Sequence, residues 1–116
     1  MAGLASILEQ NSQLQDAIVD CIEKTITRHF GESVLRVLEY NFRRDTGLAI
    51  QEVVQGYDYA RAFSEFLSRF FGSGGMIIER IIFEELGKTF PNTEIAFKGR
   101  NIDLAKLIAE IKRLQK

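Results

Sequence analysis

The chain has 116 residues, 46% of them hydrophobic, and a formal net charge of −1 at pH 7. This length indicates one domain with enough apolar side chains for a core, and the charge gives no overall attraction to nucleic acid or to an anionic membrane. No apolar run approaches the roughly 20 residues of a membrane span, and no signal peptide is predicted. The single cysteine, Cys21, excludes an internal disulfide and favours a cytoplasmic location.

A hydrophobic period of 3.6 residues dominates the chain, and Pro91 is the only proline. The first ten residues are predicted to form a short, loosely held helix. Ser12, followed three residues later by Gln15, has the pattern of a capping box. A second helix is therefore expected from there to Gly31, where a left-handed residue is expected to end it. The apolar face of that helix consists of Leu14, Ile18, Cys21, Ile22, Ile26 and Phe30.

The middle of the chain predicts two more helices. One is expected to be capped by Ser33 and to end at Asp45-Thr46-Gly47. Residues 48–57 favour a short helical turn over a strand, because no second strand is available to pair with them. The next helix is expected from Asp58 to Gly72. The apolar stripes are Leu35, Leu38 and Phe42, widened by Val34 and Val37, in the first helix, and Tyr59, Phe63, Phe66, Leu67 and Phe70 in the second.

Three glycines precede an isoleucine-rich stretch in FFGSGGMIIERIIFEEL, residues 70–86. A Walker-type loop requires Lys and then Ser or Thr after the last glycine, and a dinucleotide fingerprint requires a preceding strand. Gly74-Gly75 is instead followed by Met76-Ile77, so the glycines predict a corner at which two helices approach closely.

The stretch after this corner is predicted to be a helix, with a strand as the alternative because isoleucine favours strands. Its apolar residues surround most of the helix, so we expect it to be central and covered on all sides. These residues are Met76, Ile77, Ile78, Ile81, Ile82, Phe83 and Leu86.

Beyond Pro91, NTEIAFKGR is predicted to be a connection, in which residues 93–98 are either irregular or extended. Asn101 or Asp103 begins a last helix. Its apolar positions step by three and four, as in a coiled coil: Leu104, Leu107, Ile108, Ile111 and Leu114. The predicted fold is all-α, a compact bundle of about five helices around a central apolar helix, with an amphipathic C-terminal helix. Its parts are a loose segment (1–10), a helical core (11–91) and the connection with the last helix (92–116).

Side chains with catalytic or metal-binding potential form no recognised motif. His29 is the only histidine, which excludes a two-histidine zinc site within the chain, and it lies near a helix C-terminus. Cys21 lies on an apolar stripe, as a small core residue does. Glu79 and the pair Glu84-Glu85 lack the Glu-x-x-His pattern of di-iron helices. We therefore predict no catalytic residue, no metal and no cofactor.

Two segments resemble a known family, SVLRVLEYNFRRDTGL and YARAFSEFLSRFFGSGGMIIERIIFEEL. They are similar to the Nitrosopumilus output domain, a small helical family of ammonia-oxidising and related archaea. Shared features are a helix ending in basic residues and Gly-Leu, a helix ending Phe70-Phe71-Gly72, and the isoleucine-rich helix after it. The resemblance covers residues 32–90, although residues 48–57 lack the proline that the family often has there. It implies no catalytic residues and an output or interaction role in an archaeal signalling or regulatory system.

The sequence thus predicts a non-enzymatic, self-associating helical module, because nearly every helix has an apolar face and the large apolar residues are many for so short a chain. Pairing into a dimer is expected to bury Leu107, Ile111 and Leu114 of the last helix. The alternative, a nucleic-acid-associated or transcription accessory protein, rests on basic residues near the C-terminus. These are Lys98, Arg100, Lys106, Lys112 and Arg113. A small-ligand site at the Gly72 corner is the weakest of the three hypotheses.

Overall fold

The computed structural model describes residues 2–91 and 103–114, with side chains described from residue 13 onward. This part of the chain forms five α-helices and one 3₁₀ helix, and contains no strand. The elements are α1 (Ala2–Phe30), α2 (Glu32–Thr46), the 3₁₀ helix (Ile50–Val54), α3 (Tyr57–Phe71), α4 (Ser73–Thr89) and α5 (Leu104–Leu114). The all-α bundle of five helices is confirmed. The predicted connection at 93–98 lies outside the described residues.

The first helix, α1, is continuous from Ala2 to Phe30, so the separate N-terminal helix and the cap at Ser12 are wrong. Serine costs only a fraction of a kcal/mol inside a helix, about 0.5, and no proline or glycine interrupts the chain there. Ile18, Ile22 and Ile26 are fully buried, as the apolar stripe predicts. Thr25 shares this face because its hydroxyl donates a hydrogen bond to the Cys21 carbonyl oxygen at 2.6 Å.

Two glycines with positive φ connect the helices in pairs. Gly31 (φ 94°) is the single residue between α1 and α2, and Gly72 (φ 58°) is the single residue between α3 and α4. Each follows a partly buried phenylalanine, Phe30 or Phe71. Because other residue types are strained at positive φ, these glycines allow turns of one residue. Gly31 is also the N-cap of α2, a position that the sequence had assigned to Ser33.

Aromatic side chains of α2 and α3 form the centre of the core. The ring centroid of Phe42 lies 5.3 Å from those of both Phe63 and Phe66, and all three rings are fully buried. Such edge and tilted contacts are favourable beyond the area they bury. Gly47 ends α2, as predicted, and adopts the left-handed conformation. The helical turn expected within residues 48–57 is the 3₁₀ helix, which buries Ile50, Val53 and Val54.

Helix α4 lies directly against α3 at Gly75. A Cβ atom at this position would lie 2.1 Å from the carbonyl oxygen of Leu67, so only glycine allows the two backbones to approach this closely. One turn further along, the Ser64 hydroxyl donates a hydrogen bond to Glu79 Oε1 at 2.6 Å. The predicted corner between two closely packed helices is confirmed.

The prediction that α4 is covered on all sides is wrong. Ile78, Ile82 and Leu86 are buried at a spacing of four, whereas Met76 is 65% exposed and Ile77 is 58% exposed. Because the Gly75 side of the helix faces α3, positions one and two residues later are rotated by about 100° and 200° away from it. These two side chains therefore face solvent.

We predict that Gly75→Ala destabilises the fold by roughly 1–3 kcal/mol, because the added methyl group overlaps the Leu67 carbonyl and displaces α4. Gly87→Ala is the matched control, since Gly87 is also buried in α4 but a Cβ there meets nothing within 4 Å. This control should be neutral or gain about 0.5–1 kcal/mol from helix propensity. Urea unfolding followed by circular dichroism measures both, and equal stabilities would contradict the close approach.

Candidate functional site

One side of α4 is exposed along its whole length. We define the α4 outer face as the exposed residues Ser73, Met76, Ile77, Arg80, Glu84 and Lys88, whose spacing of three and four places them on one side of the helix. The half nearer the N-terminus is apolar and the half nearer the C-terminus is charged. Adjacent large apolar side chains in water are typical of an interaction surface, so this face is the candidate functional site.

Arg80 and Glu84 carry opposite charges one helical turn apart on this face. Within the described part of the chain, neither forms an ion pair. By contrast, the Lys88 Nζ lies 3.6 Å from Glu85 Oε1, and the other oxygen of Glu85 lies 3.9 Å from an Arg28 nitrogen of α1. Two complementary charges on the outer face are therefore available to a partner.

Sequence reasoning placed Met76 and Ile77 in the core and missed this face. The signal that could have revealed it is the register of the charged residues. Met76 precedes Arg80 by four positions and Ile77 precedes it by three, so both lie on the same side of the helix as an exposed arginine.

Two of the three residues of the interface predicted on α5 are buried within the chain. Leu107 and Ile111 belong to the core of the chain itself, and only Leu114, at 40% exposure, reaches the surface. The apolar stripe of α5 is used against α3 within the same chain. The predicted start of α5 at Asp103 is confirmed, because Asp103 Oδ1 accepts a hydrogen bond from the backbone N–H of Lys106 at 3.0 Å.

The nucleic-acid alternative rests on Lys98, Arg100, Lys106, Lys112 and Arg113. The first two lie outside the described residues, and Lys106 is exposed. The Lys112 Nζ donates a hydrogen bond to the Val54 carbonyl oxygen at 2.7 Å. Arg113 binds Glu110 and thereby holds the pKa of that carboxyl group below its ordinary value. Contacts within the chain thus occupy two of the predicted phosphate-binding groups.

The other candidate side chains do not converge on one site. His29 is exposed in the last turn of α1, and the half-buried Cys21 Sγ lies 3.6 Å from Thr89 Oγ1. Glu79 accepts its hydrogen bond from Ser64. Within residues 13–91 and 103–114, no group of three His, Cys, Asp or Glu side chains is arranged to hold a metal ion.

A cleft of about 390 Å³ between α3, α4 and the start of α5 is polar. Within it, Arg61 Nε donates a hydrogen bond to Glu65 Oε1 at 3.2 Å. The bonds to Glu65 and to Tyr57 raise the pKa of the Arg61 guanidinium above its ordinary value. Ser64 and Glu79, which are bonded to each other, line the same cleft. Arg61 and Glu65 pair along α3, and the bond from Ser64 to Glu79 joins α3 to α4, so these four groups suit a structural role.

A second open groove, of about 500 Å³, follows α1 beside the 3₁₀ helix. Asp16, Asp20, Glu23 and Gln51 are among its lining residues. Burial raises the pKa of the Glu23 carboxyl group above its ordinary value, and the negative charges of Glu39 and Asp20 raise it further. The ionised form of Glu23 is thus unfavourable in the folded chain.

We predict that Glu23→Gln stabilises the fold at pH 7. Because the pKa of Glu23 is higher in the folded chain than its ordinary value of 4.5, the ionised carboxylate destabilises the fold above the folded pKa. That penalty is relieved as the pH falls through the folded pKa. Thermal unfolding should therefore show a higher Tm for the variant at pH 7 and almost no difference near pH 4.

Gln51→Glu is the opposite change, since it adds a carboxylate to the same groove. It should lower the Tm at pH 7 and have little effect near pH 4, because a protonated carboxyl group carries no charge. If Glu23→Gln raised the Tm equally at both pH values, removal of the negative charge could not be the cause of the stabilisation.

The chain matches no protein-family model, and no curated protein or solved structure matches it. Function must therefore be inferred from the surfaces described above. None of the described helices is both long and apolar enough to cross a membrane.

Proposed function

We propose that the protein is a non-enzymatic helical interaction module that binds a second copy of itself through the α4 outer face. The observation that carries this proposal is the pair Met76 and Ile77, both more than half exposed on adjacent positions of one helix. Full burial of a side chain of this size is worth roughly 1.5–3 kcal/mol relative to exposure. Covering both residues in a pair of chains would therefore favour association.

The charges on this face favour a second copy as the partner. If two α4 helices pack antiparallel about a two-fold axis midway between Arg80 and Glu84, each Arg80 faces the Glu84 of the other copy. The same register places Met76 opposite Lys88 of the other copy, whose aliphatic stem offers apolar surface. A partner of a single charge sign would instead leave Arg80 or Glu84 next to a like charge.

The resemblance over residues 32–90 adds a biological setting to this proposal. A regulatory module that acts by pairing needs no catalytic residue, which is consistent with the output role that the resemblance implies. The single free thiol, Cys21, suits a reducing compartment, so we place this pairing in the cytoplasm. The described contacts of Lys112 and Arg113 lend no support to the nucleic-acid alternative.

We predict that sedimentation velocity shows a dimer that dissociates on dilution between about 500 and 1 μM, the affinity range of weak interfaces. Ile77→Glu should raise the dissociation constant at least tenfold, because association would then bury a carboxylate in place of an apolar side chain. Val37→Glu is the matched control, since it changes an apolar residue of 49% exposure on α2 and should leave the dimer intact. A wild-type chain that stays monomeric over the whole range would overturn the proposal.

The antiparallel register has a separate test in a charge swap. Arg80→Glu should weaken the dimer, because the introduced carboxylate then faces Glu84 of the other copy. This repulsion occurs twice, once on each side of the two-fold axis. Adding Glu84→Arg to the same chain should restore it, because both cross-pairs form again with exchanged signs. If Ile77→Glu disrupts the dimer but the charge changes have no effect, the apolar contact stands and the register is wrong.

A further inference from the structure

Met76 is the more exposed of the two sulfur-containing residues within residues 13–91 and 103–114. Its side chain is 65% exposed. The other residue, Cys21, is half-buried, and its Sγ lies 3.6 Å from Thr89 Oγ1. A small oxidant in solution therefore reaches the Met76 thioether more readily than the Cys21 thiol.

Met76 also belongs to the apolar half of the α4 outer face. In the proposed antiparallel register it lies against the aliphatic stem of Lys88 of the other copy. The Lys88 Nζ is directed toward its own Glu85, 3.6 Å from Oε1, on the side of α4 that faces α1. A thioether suits such a contact because it is apolar and flexible. A sulfoxide oxygen at this point would lose its bonds to water without gaining a donor, which disfavours association.

We propose that Met76 is an oxidation site and that a peroxide, by converting its thioether to the sulfoxide, separates the paired chains. This inference rests on the proposed function and adds the regulation of the same surface. A lone pair of Met76 Sδ attacks one oxygen of hydrogen peroxide, so that an S–O bond forms and the O–O bond breaks. The proton of the transferred oxygen passes to the departing hydroxide, which leaves as water. Sulfur is oxidised by two electrons and the peroxide is reduced by two, and sulfoxide reductases can reverse the change.

Sedimentation velocity of the full-length chain before and after treatment with hydrogen peroxide tests the inference. Mass spectrometry confirms the added oxygen at Met76, and dithiothreitol then removes reversible oxidation of Cys21. We expect the dissociation constant of the dimer to rise about tenfold or more, since burial of the apolar side chain is lost in both chains. Treatment with sulfoxide reductases specific for each of the two epimers should restore the original value.

Two variants separate oxidation of Met76 from oxidation elsewhere. Met76→Leu keeps an apolar side chain that peroxide does not oxidise, and it retains Met1 and Cys21. Its dissociation constant after treatment should equal its own untreated value. Met76→Gln has a polar side chain of similar length and should pair about tenfold more weakly than Met76→Leu without any oxidant. An equal effect of peroxide on the wild-type chain and on Met76→Leu would overturn the inference.

The rate of oxidation gives a second measurement. If pairing covers Met76, a large excess of peroxide should oxidise it more slowly at a protein concentration about tenfold above the dissociation constant than at one about tenfold below it. N-acetylmethionine added to both samples is the reference for the strength of the oxidant. Equal rates at the two concentrations would show that the dimer leaves Met76 uncovered, which contradicts the inference.

Failure of this inference and failure of the proposed function give different results. An untreated chain that is monomeric from about 1 to 500 μM overturns the pairing itself. An untreated chain that pairs, and that pairs equally well once Met76 is fully oxidised, overturns only the regulation by peroxide.

Discussion

The contact between Gly75 and the Leu67 carbonyl group fixes the rotation of α4, and the surface of the molecule follows from that rotation. With Gly75 turned toward α3, the helical period places Ile78 on the inward side and Met76 with Ile77 on the outward side. A larger residue at 75 would hold the helices apart and permit other rotations. The candidate interaction surface is thus a consequence of one missing side chain within the core.

Ion pairs contribute little to this arrangement compared with packing. The pairs Lys24–Asp20, Arg36–Glu32 and Arg61–Glu65 lie within single helices at a spacing of four, with both members exposed. Such pairs contribute little to stability, because water and salt screen the attraction between exposed charges. The partly buried bond from Ser64 to Glu79 has a charged acceptor, and bonds of that kind contribute roughly 1.5–3 kcal/mol. Charges on the outer surface can therefore be changed with small cost to the fold, so variants at Arg80 and Glu84 report on association.

Local patterns predicted the helices because their causes are local. Ile18, Ile22 and Ile26 repeat at helical spacing within α1, and Gly31 and Gly72 have the freedom at positive φ that turns of one residue require. The all-α bundle and its corners could therefore be predicted from the sequence. The start of α1 could not, because the capping pattern at residues 12–15 also fits the interior of a helix.

The candidate site depends on contacts between distant residues, which a local pattern does not determine. The apolar stripe of α5 suits a partner chain and the chain's own α3 equally well, and only the fold shows that Leu107 and Ile111 pack internally. In the same way, the isoleucines of α4 indicate a buried helix, but they do not show which side faces inward. The contact of Gly75 with the Leu67 carbonyl group determines that side. The sequence predicted an exposed apolar surface on α5, whereas the adjacent exposed apolar side chains of the structure, Met76 and Ile77, lie on α4.

Gly75 on α4 and Ala109 on α5 are both small, but they have opposite effects on helix packing because the side chains around them differ in size. The distance between packed helices is set by the side chains at their contact. At Gly75 no bulky side chain intervenes, so the backbones of α3 and α4 touch and exclude any space. Along α5, Leu107 and Ile111 are buried, whereas Ala109 is exposed and lines a cavity of about 230 Å³ against α3 and the 3₁₀ helix. A cavity beside Lys112 is therefore what this mixture of large and small residues on one helix produces.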